Sequence, residues 1–263
     1  MTNSRPLRRR VTWPPRAADE VFDVLIVGGT WNSDGAGACQ VFADALDPKR
    51  FAPRMVAYPA DYGRQLSYAD SVAVGRRALL EAAEAAERRV VLAGFSQGAA
   101  IAGDLAAAAG HGALPQLEVV ACALIADPLR PAGAGIDGDP GGYGIAGQRP
   151  ITDIPAYWAA APGDPITALP AGNPLRSIAD LSAYFGLGSP EAMLRWGQSL
   201  LEVATRRRLQ RWWSPRNWRT WGGAIAYARG YLFDGRHTDD YLRHGHARRL
   251  AEALNRGVAE EVR

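Results

Sequence analysis

The stretch RRVVLAGFSQGAAIAG, residues 88–103, sets a β-branched apolar run against Gly94-Phe95-Ser96-Gln97-Gly98 and then a run of small residues. A strand ending at Gly94 and a helix opening after Gly98 leave so sharp a turn between them that the side chain at its apex stands clear of the sheet. Glycine suits both flanks, because a Cβ at either position collides with neighbouring backbone. Ser96 is therefore a candidate nucleophile, weighed against the plainer role of a helix N-cap. A serine hydroxyl attacks a carbonyl only when a base takes its proton, and an imidazole base needs a carboxylate to fix its tautomer and hold its charge.

On such a turn the acid and the histidine follow the serine in that order. Four histidines compete. His111, in GHGALP, precedes a predicted strand at an exposed point, and His244 and His246 fall inside a predicted C-terminal helix. His237, in FDGRHTDDY, lies in the loop ahead of that helix, from which an imidazole can reach over the serine. Thr238 there reads as an N-cap, with Asp239 and Asp240 in the first turn, a helix start that needs no catalysis. Among the acids, Asp164 in AAPGDPIT and Asp127 in IADPLRP each follow a predicted strand and emerge at the same edge. Asp164 follows the last recognisable strand, which favours it as the carboxylate; Asp127 suits an Asx-type turn ordering its own loop. Asp234 stands too close to His237 in sequence for that role.

A tetrahedral intermediate also needs donors aimed at its oxyanion, worth about 2.7 to 4 kcal/mol each. The backbone N–H of Gln97 is one candidate, and Thr30, in the Gly-rich VGGTWNSDGAG, offers a backbone or hydroxyl donor. Gly28 and Gly29 echo a dinucleotide-binding turn, but the remaining glycines miss the GxGxxG offsets, so neither a nicotinamide nor a flavin cofactor is expected. Cys39 and Cys122 are the only cysteines, too few for a disulfide framework or a cysteine-built zinc site. No cofactor and no metal are expected.

These groups need a scaffold that delivers them to one edge. Strand signals recur at residues 21–27, 54–60, 88–94, 117–126 and 154–160, with Ala-rich helical segments near 35–46, 67–87 and 97–109. Continuous apolar strands alternating with helices predict an α/β fold with a mostly parallel central sheet covered on both faces. The Gly/Pro-rich segment 127–150 reads as a long loop after a strand. Beyond residue 165 the pattern turns helical and rich in Trp and Arg, and 239–262 reads as a closing helix. The expected organisation is a basic tail over 1–20, one domain over 21–263, and a helical insertion near 167–232 between acid and histidine. With 48% hydrophobic residues the chain has a sizeable core, and no apolar run reaches the roughly 18 to 20 residues needed to cross a bilayer. A formal charge of only +3 argues against a nucleic-acid partner. The first sixteen residues carry five Arg without the apolar stretch of a secretory signal. Oligomeric state stays open.

Taken in order, VGGTWNSDGAG, GFSQGAAIAG, ADPLRPAG with GGYGIAG, APGDPIT and GRHTDDY resemble segments of the cutinase-like branch of serine esterases, and within it the phage lysin B proteins, over most of residues 21–255. The resemblance implies an α/β-hydrolase fold with Ser96, Asp164 and His237 as the catalytic set. It also implies hydrolysis of the ester joining mycolic acids to arabinogalactan, by an enzyme made in the host cytoplasm and released to the bacterial envelope at lysis. Cutinases keep acid and histidine close and carry disulfides; here 237 − 164 = 73 positions separate them, a spacing similar to that of lysin B. No separate peptidoglycan-binding module is expected ahead of the hydrolase. Long acyl chains need apolar walls, and Trp31, Trp212 and Trp213, with Trp196, Trp218 and Trp221, are candidates to line a groove over Ser96. Equally, the later tryptophans suit a helix pair packing its own core. RRRLQRWW, residues 206–213, either meets acidic wall polymers or forms a solvated face. Alternatives are a broader lipase or cutinase-like carboxylesterase, or a non-catalytic wall-binding or virion protein on the same scaffold.

Overall fold

Runs of Val, Leu, Ile and Ala without polar alternation must be buried on both faces. They are so buried in the computed structural model, which describes residues 20–32, 34–173, 175–176 and 236–260. The elements are β1 (Phe22–Val27), α1 (Ala38–Asp44), β2 (Phe51–Met55), α2 (Tyr68–Glu84), β3 (Val90–Phe95), α3 (Gln97–Gly110), β4 (Val119–Ile125), β5 (Ala156–Ala159), α4 (Asp239–Arg243) and α5 (His246–Glu260). The strands form one sheet in the order β2-β1-β3-β4-β5, and every pairing is parallel. The fold is thus the α/β sheet that the alternating pattern predicts. Because β1 and β3 are neighbours while their connections leave in opposite directions, the strand order switches between them, and loops there open a crevice at the carboxyl edge. Val27 pairs with Gly94, so the loops bearing Thr30 and Ser96 start side by side.

Successive side chains on each strand enter different layers. Phe22, Val24 and Ile26 of β1, with Val91, Ala93 and Phe95 of β3, face a core closed by α1, α4 and α5. Leu25, Val27, Val90 and Leu92 face the opposite core under α2 and α3. Cys39 belongs to the first core and Cys122 to the second, both buried and free. The sheet itself separates them. Burial pushes both thiols up to about 12, which leaves them as small apolar groups. Among the described residues no helix is long and apolar enough to cross a membrane.

Most strand ends move by one or two residues from the sequence expectation, α3 opens at Gln97 rather than after Gly98, and two elements depart further. The second strand lies at 51–55 rather than 54–60, and Val56 gives it one last bond to Ile26 O before the chain climbs over the sheet edge. Val56, Tyr58 and Ala60 are apolar and buried because they pack into the second core. Pro53 is tolerated because β2 is an edge strand. The closing helix is broken into α4 and α5 at Gly245, whose φ of 70° ends the first piece. Thr238 stands at the N-cap position of α4 but makes no side-chain capping bond, contrary to expectation. The tail before residue 20, most of the insertion expected at 167–232, the tryptophans at 196, 212, 213, 218 and 221, and the Arg-rich run at 206–213 lie outside the described residues.

The long loop after β4 is organised by a buried cation. Arg130 is fully buried, and its five N–H groups go to five backbone carbonyls. Nε donates to Thr167 O (2.7 Å), Nη1 to Pro131 O (3.0 Å) and Ala134 O (2.7 Å), and Nη2 to Gly141 O (2.7 Å) and Gly142 O (3.0 Å). One guanidinium therefore ties the start and middle of the loop to the segment that follows Asp164. Burial pulls its pKa below the ordinary value, with Asp139, Tyr241, Asp127 and Asp164 acting in the other direction. Arg130→Met leaves those carbonyls without donors, and urea unfolding is expected to show a loss of more than about 3 kcal/mol.

Candidate active site

The turn at Ser96 is as tight as its glycines require. A Cβ on Gly98 would overlap the carbonyls of Val27 and Gly28, and one on Gly94 would overlap the Gly98 backbone. Helix α3 thereby starts directly against the end of β1. Ser96 itself has φ 55° and ψ −115°, a region that a residue with a Cβ rarely occupies. It makes no side-chain capping bond, so its hydroxyl is not consumed as an N-cap. Its backbone is fixed on both sides: Ser96 N–H donates to Ile125 O at 2.9 Å, and Ala100 N–H to Ser96 O at 3.1 Å.

The structure brings Ser96, His237 and Asp164 together. Ser96 Oγ lies 2.8 Å from His237 Nε2. His237 Nδ1 lies 3.1 Å from each oxygen of Asp164, whose side chain is fully buried. Asp164 Oδ1 also accepts the Ile166 N–H at 2.9 Å, and Oδ2 accepts the Tyr241 hydroxyl at 2.6 Å. His237 stacks on Phe95, ring centroids 5.3 Å apart and planes inclined by 26°. The imidazole is thus held at its edge by a carboxylate and on its face by the residue preceding the serine. Chemically, the set can move a proton from a hydroxyl to an imidazole while a buried anion holds the resulting charge.

The competing candidates lie elsewhere. Asp127 accepts the Leu129 N–H at 2.9 Å in the Asx-type turn expected of it, and it pairs with Arg149 at 2.6 Å and with Trp158 Nε1 at 3.0 Å. Burial pushes its carboxyl up from the ordinary value, against the pull of Arg149. His111 closes α3 from an exposed position, its Nδ1 2.7 Å from Ala107 O. His246 Nδ1 is 2.8 Å from Asp137, which Arg249 also grips, so this histidine fastens α5 to the long loop. His244 faces Asp240 on the outside of α4.

The two oxyanion candidates meet at one side chain. Thr30 Oγ1 is 3.5 Å from Gln97 Oε1, and Gln97 Nε2 donates to Asp61 O at 3.1 Å. The Tyr58 hydroxyl lies 3.1 Å from the same Gln97 oxygen and 2.8 Å from Gly28 O. Gln97 is buried, so its amide laces the loops after β1 and β2 to the start of α3. Its backbone N–H opens the helix, where the first N–H groups have no intrahelical acceptor. Asp61 anchors the next loop by accepting N–H groups from Tyr62, Arg64, Gln65 and Leu66. Burial alone raises its carboxyl, and those four donors outweigh it, bringing the pKa down to about 2.

Trp31 stands at the rim beside Thr30, 59% exposed, with φ 57° and its N–H bonded to Ala60 O at 2.7 Å. The Arg64 guanidinium covers one side of its ring at 4.5 Å from the centroid. Tyr241, Tyr58, Asp61 and Phe95 are site residues that the sequence reading passes over. Tyr241 stands four positions after His237, within one helical turn of the histidine loop, and that spacing is the signal that marks it. Asp61 precedes Tyr62-Gly63, a turn signature with an acid at its head.

No family model matches the chain, and no curated protein matches it. Among solved structures, an acetyl xylan esterase determined at 0.90 Å is 21% identical, with 71% of this chain and 98% of that one covered and a TM-score of 0.41. An iodinated complex of acetyl xylan esterase is 20% identical over 70% and 97% of the two chains, with a TM-score of 0.41. A cutinase-like protein from Cryptococcus sp. is 16% identical over 71% and 91%, with a TM-score of 0.43. At such identities the chemistry is read from the geometry of the site itself.

Gly98→Ala forces α3 away from β1. Its melting temperature is expected to fall by more than about 5 °C, equivalent to about 2 kcal/mol or more for a chain of this size, when followed by circular dichroism.

Proposed function

We propose that the protein is a serine esterase, and that its substrate is the ester between mycolic acids and arabinogalactan in a mycobacterial-type envelope. The observation that carries the first part is the Ser96–His237–Asp164 chain on a strained turn at the strand-order switch point. The ordered motifs, from VGGTWNSDGAG to GRHTDDY, support the second through their likeness to lysin B.

The steps follow from the atoms. As Ser96 Oγ attacks the ester carbonyl, its proton passes to His237 Nε2, and Asp164 holds the imidazolium through Nδ1. Negative charge gathers on the former carbonyl oxygen, stabilised by the Gln97 N–H and by Thr30. Collapse expels the alcohol, which takes the proton from His237 and leaves an acyl group on Ser96. Water then attacks that acyl-enzyme with His237 as base, and the carboxylic acid leaves as the serine is restored. Trp31 lines the approach on the Thr30 side and offers apolar area to a lipid chain. On this reading the protein is made in the host cytoplasm and acts on the envelope at lysis.

Ser96→Ala is expected to lower p-nitrophenyl butyrate hydrolysis at least about a thousandfold with an unchanged melting temperature, and wild-type protein to take up one fluorophosphonate at Ser96. Purified mycolate-bearing wall should release free mycolic acid under the wild type only. Ester turnover without that release would leave a broader carboxylesterase; a folded wild type with neither turnover nor labelling would leave a binding protein. Trp31→Ala should raise KM for a long-chain p-nitrophenyl ester about fivefold while kcat on the butyrate stays within about twofold, read from steady-state kinetics.

A further inference from the structure

The buried acid of the site is held by a group from the same segment as the histidine. Tyr241 lies in α4, four residues after His237, with its side chain fully buried. Its hydroxyl accepts the Ala161 N–H at 3.1 Å, which directs its own proton at Asp164 Oδ2, 2.6 Å away. Burial, with the neighbouring Asp164 charge, raises its pKa well above the ordinary value, so the phenol keeps that proton. The ring stands edge-on to Phe95, centroids 6.0 Å apart at 72°, and Phe95 in turn stacks on His237. Tyr241 therefore touches the acid by a hydrogen bond and the base through one intervening ring.

We propose that Tyr241 is a positioning residue of this site, setting the plane and the charge of Asp164; the proposal rests on the serine-esterase reading. Among the described residues each carboxylate oxygen has one lateral donor, Ile166 N–H on Oδ1 and Tyr241 on Oδ2, and both oxygens lie 3.1 Å from His237 Nδ1. Without the phenol, one oxygen has no lateral hold and the carboxylate is free to tilt out of line with the imidazole. The phenol also draws charge from the acid. Losing it concentrates that charge on Nδ1–H and favours the imidazolium before the serine proton arrives. Among the described residues, the other charged or titratable groups around the pair include Arg130, bonded to Thr167 O, Arg236, packed over Gly163, and His246, whose ring centroid is 5.8 Å from that of Tyr241. None of these has a hydrogen bond to Asp164 among those described.

Tyr241→Phe keeps the ring and removes only the hydroxyl. With p-nitrophenyl butyrate, kcat is expected to fall about tenfold, the worth of one hydrogen bond to a charged group, with KM within about twofold. The acid limb of kcat/KM should move to higher pH. In an Asp164→Asn background the same change should cost less than about twofold, because the tyrosine acts through the carboxylate. Wild-type kcat and pH profile in Tyr241→Phe, or an equal loss in both backgrounds, would overturn the proposal. Should the Phe variant fail to fold, 3-fluorotyrosine placed at position 241 keeps the acceptor for Ala161 and strengthens the donor. It should move the acid limb to lower pH, and an unmoved limb would overturn the proposal. A wild type without ester turnover or fluorophosphonate labelling defeats the esterase reading itself, an outcome distinct from an active wild type indifferent to Tyr241.

Discussion

The contact on which the molecule depends is the one between the first turn of α3 and the last residues of β1. Gly98 lies so close to the carbonyls of Val27 and Gly28 that no side chain fits between them. That approach fixes where α3 begins, and hence where Ser96 must turn. It also places the Thr30 loop beside the Gln97 backbone, because β1 and β3 are adjacent in the sheet and their ends are in register. The proposed nucleophile and oxyanion donors are therefore positioned by backbone packing, independently of the His237 and Asp164 side chains. The rigidity comes from the central strands β1, β3 and β4, which are buried on both faces.

Histidine and acid reach the same point by a different physical route. They arrive from segments 73 positions apart; α4 and α5 seat the histidine segment on the apolar core, and buried charges fix the loops beside the acid. Arg130 is spent on backbone carbonyls alone, one of which belongs to Thr167, three residues after Asp164. The pair Arg149–Asp127 neutralises the turn after β4, with Trp158 of β5 as a further donor. His246 and Arg249 close on Asp137 in the middle of the loop. Each buried charge here is satisfied in full or nearly so, as it must be where an unpaired one costs several kcal/mol. The outcome is a completely buried carboxylate, Asp164, on which Ile166 N–H, the Tyr241 hydroxyl and His237 Nδ1 converge.

How legible this was depends on the range of the interaction. The strands at Phe22–Val27 and Val90–Phe95, and helix α3, follow from local pattern, since periodicity and the Gly-x-Ser-x-Gly turn are short-range signals. The choice of Asp164 over Asp127 rested on chain order, and the structure separates them by partners: Asp127 is bound to Arg149, which no local pattern foretells. Local pattern sets the second strand too late because Val56, Tyr58 and Ala60 alternate like a strand while packing into the second core. Gly245 fits a continuous helical pattern, and only its φ of 70° shows the break. Arg130 carries no local mark of its role: a lone arginine in a Gly/Pro-rich loop looks solvated until its five acceptors are folded around it.

Backbone strain links these features to the site. Four of the positive-φ residues with a Cβ, Trp31, Ala60, Ser96 and Ala126, follow β1, β2, β3 and β4 at the carboxyl edge of the sheet. Each such conformation costs about 1 to 3 kcal/mol and survives only where its surroundings over-determine it. Here the surroundings are explicit. Trp31 N–H bonds Ala60 O, Ser96 N–H bonds Ile125 O and Ala126 N–H bonds Ala159 O, so interstrand bonding runs on into the strained turns. The sheet thereby forces its chain exits into shapes that set half-buried Ser96 at the edge, expose Trp31 and bury Asp127. A stiffer or more relaxed edge would be more stable, and it would no longer present a serine hydroxyl to an imidazole; the strain is located where the proposed chemistry needs a side chain held out of its ordinary place.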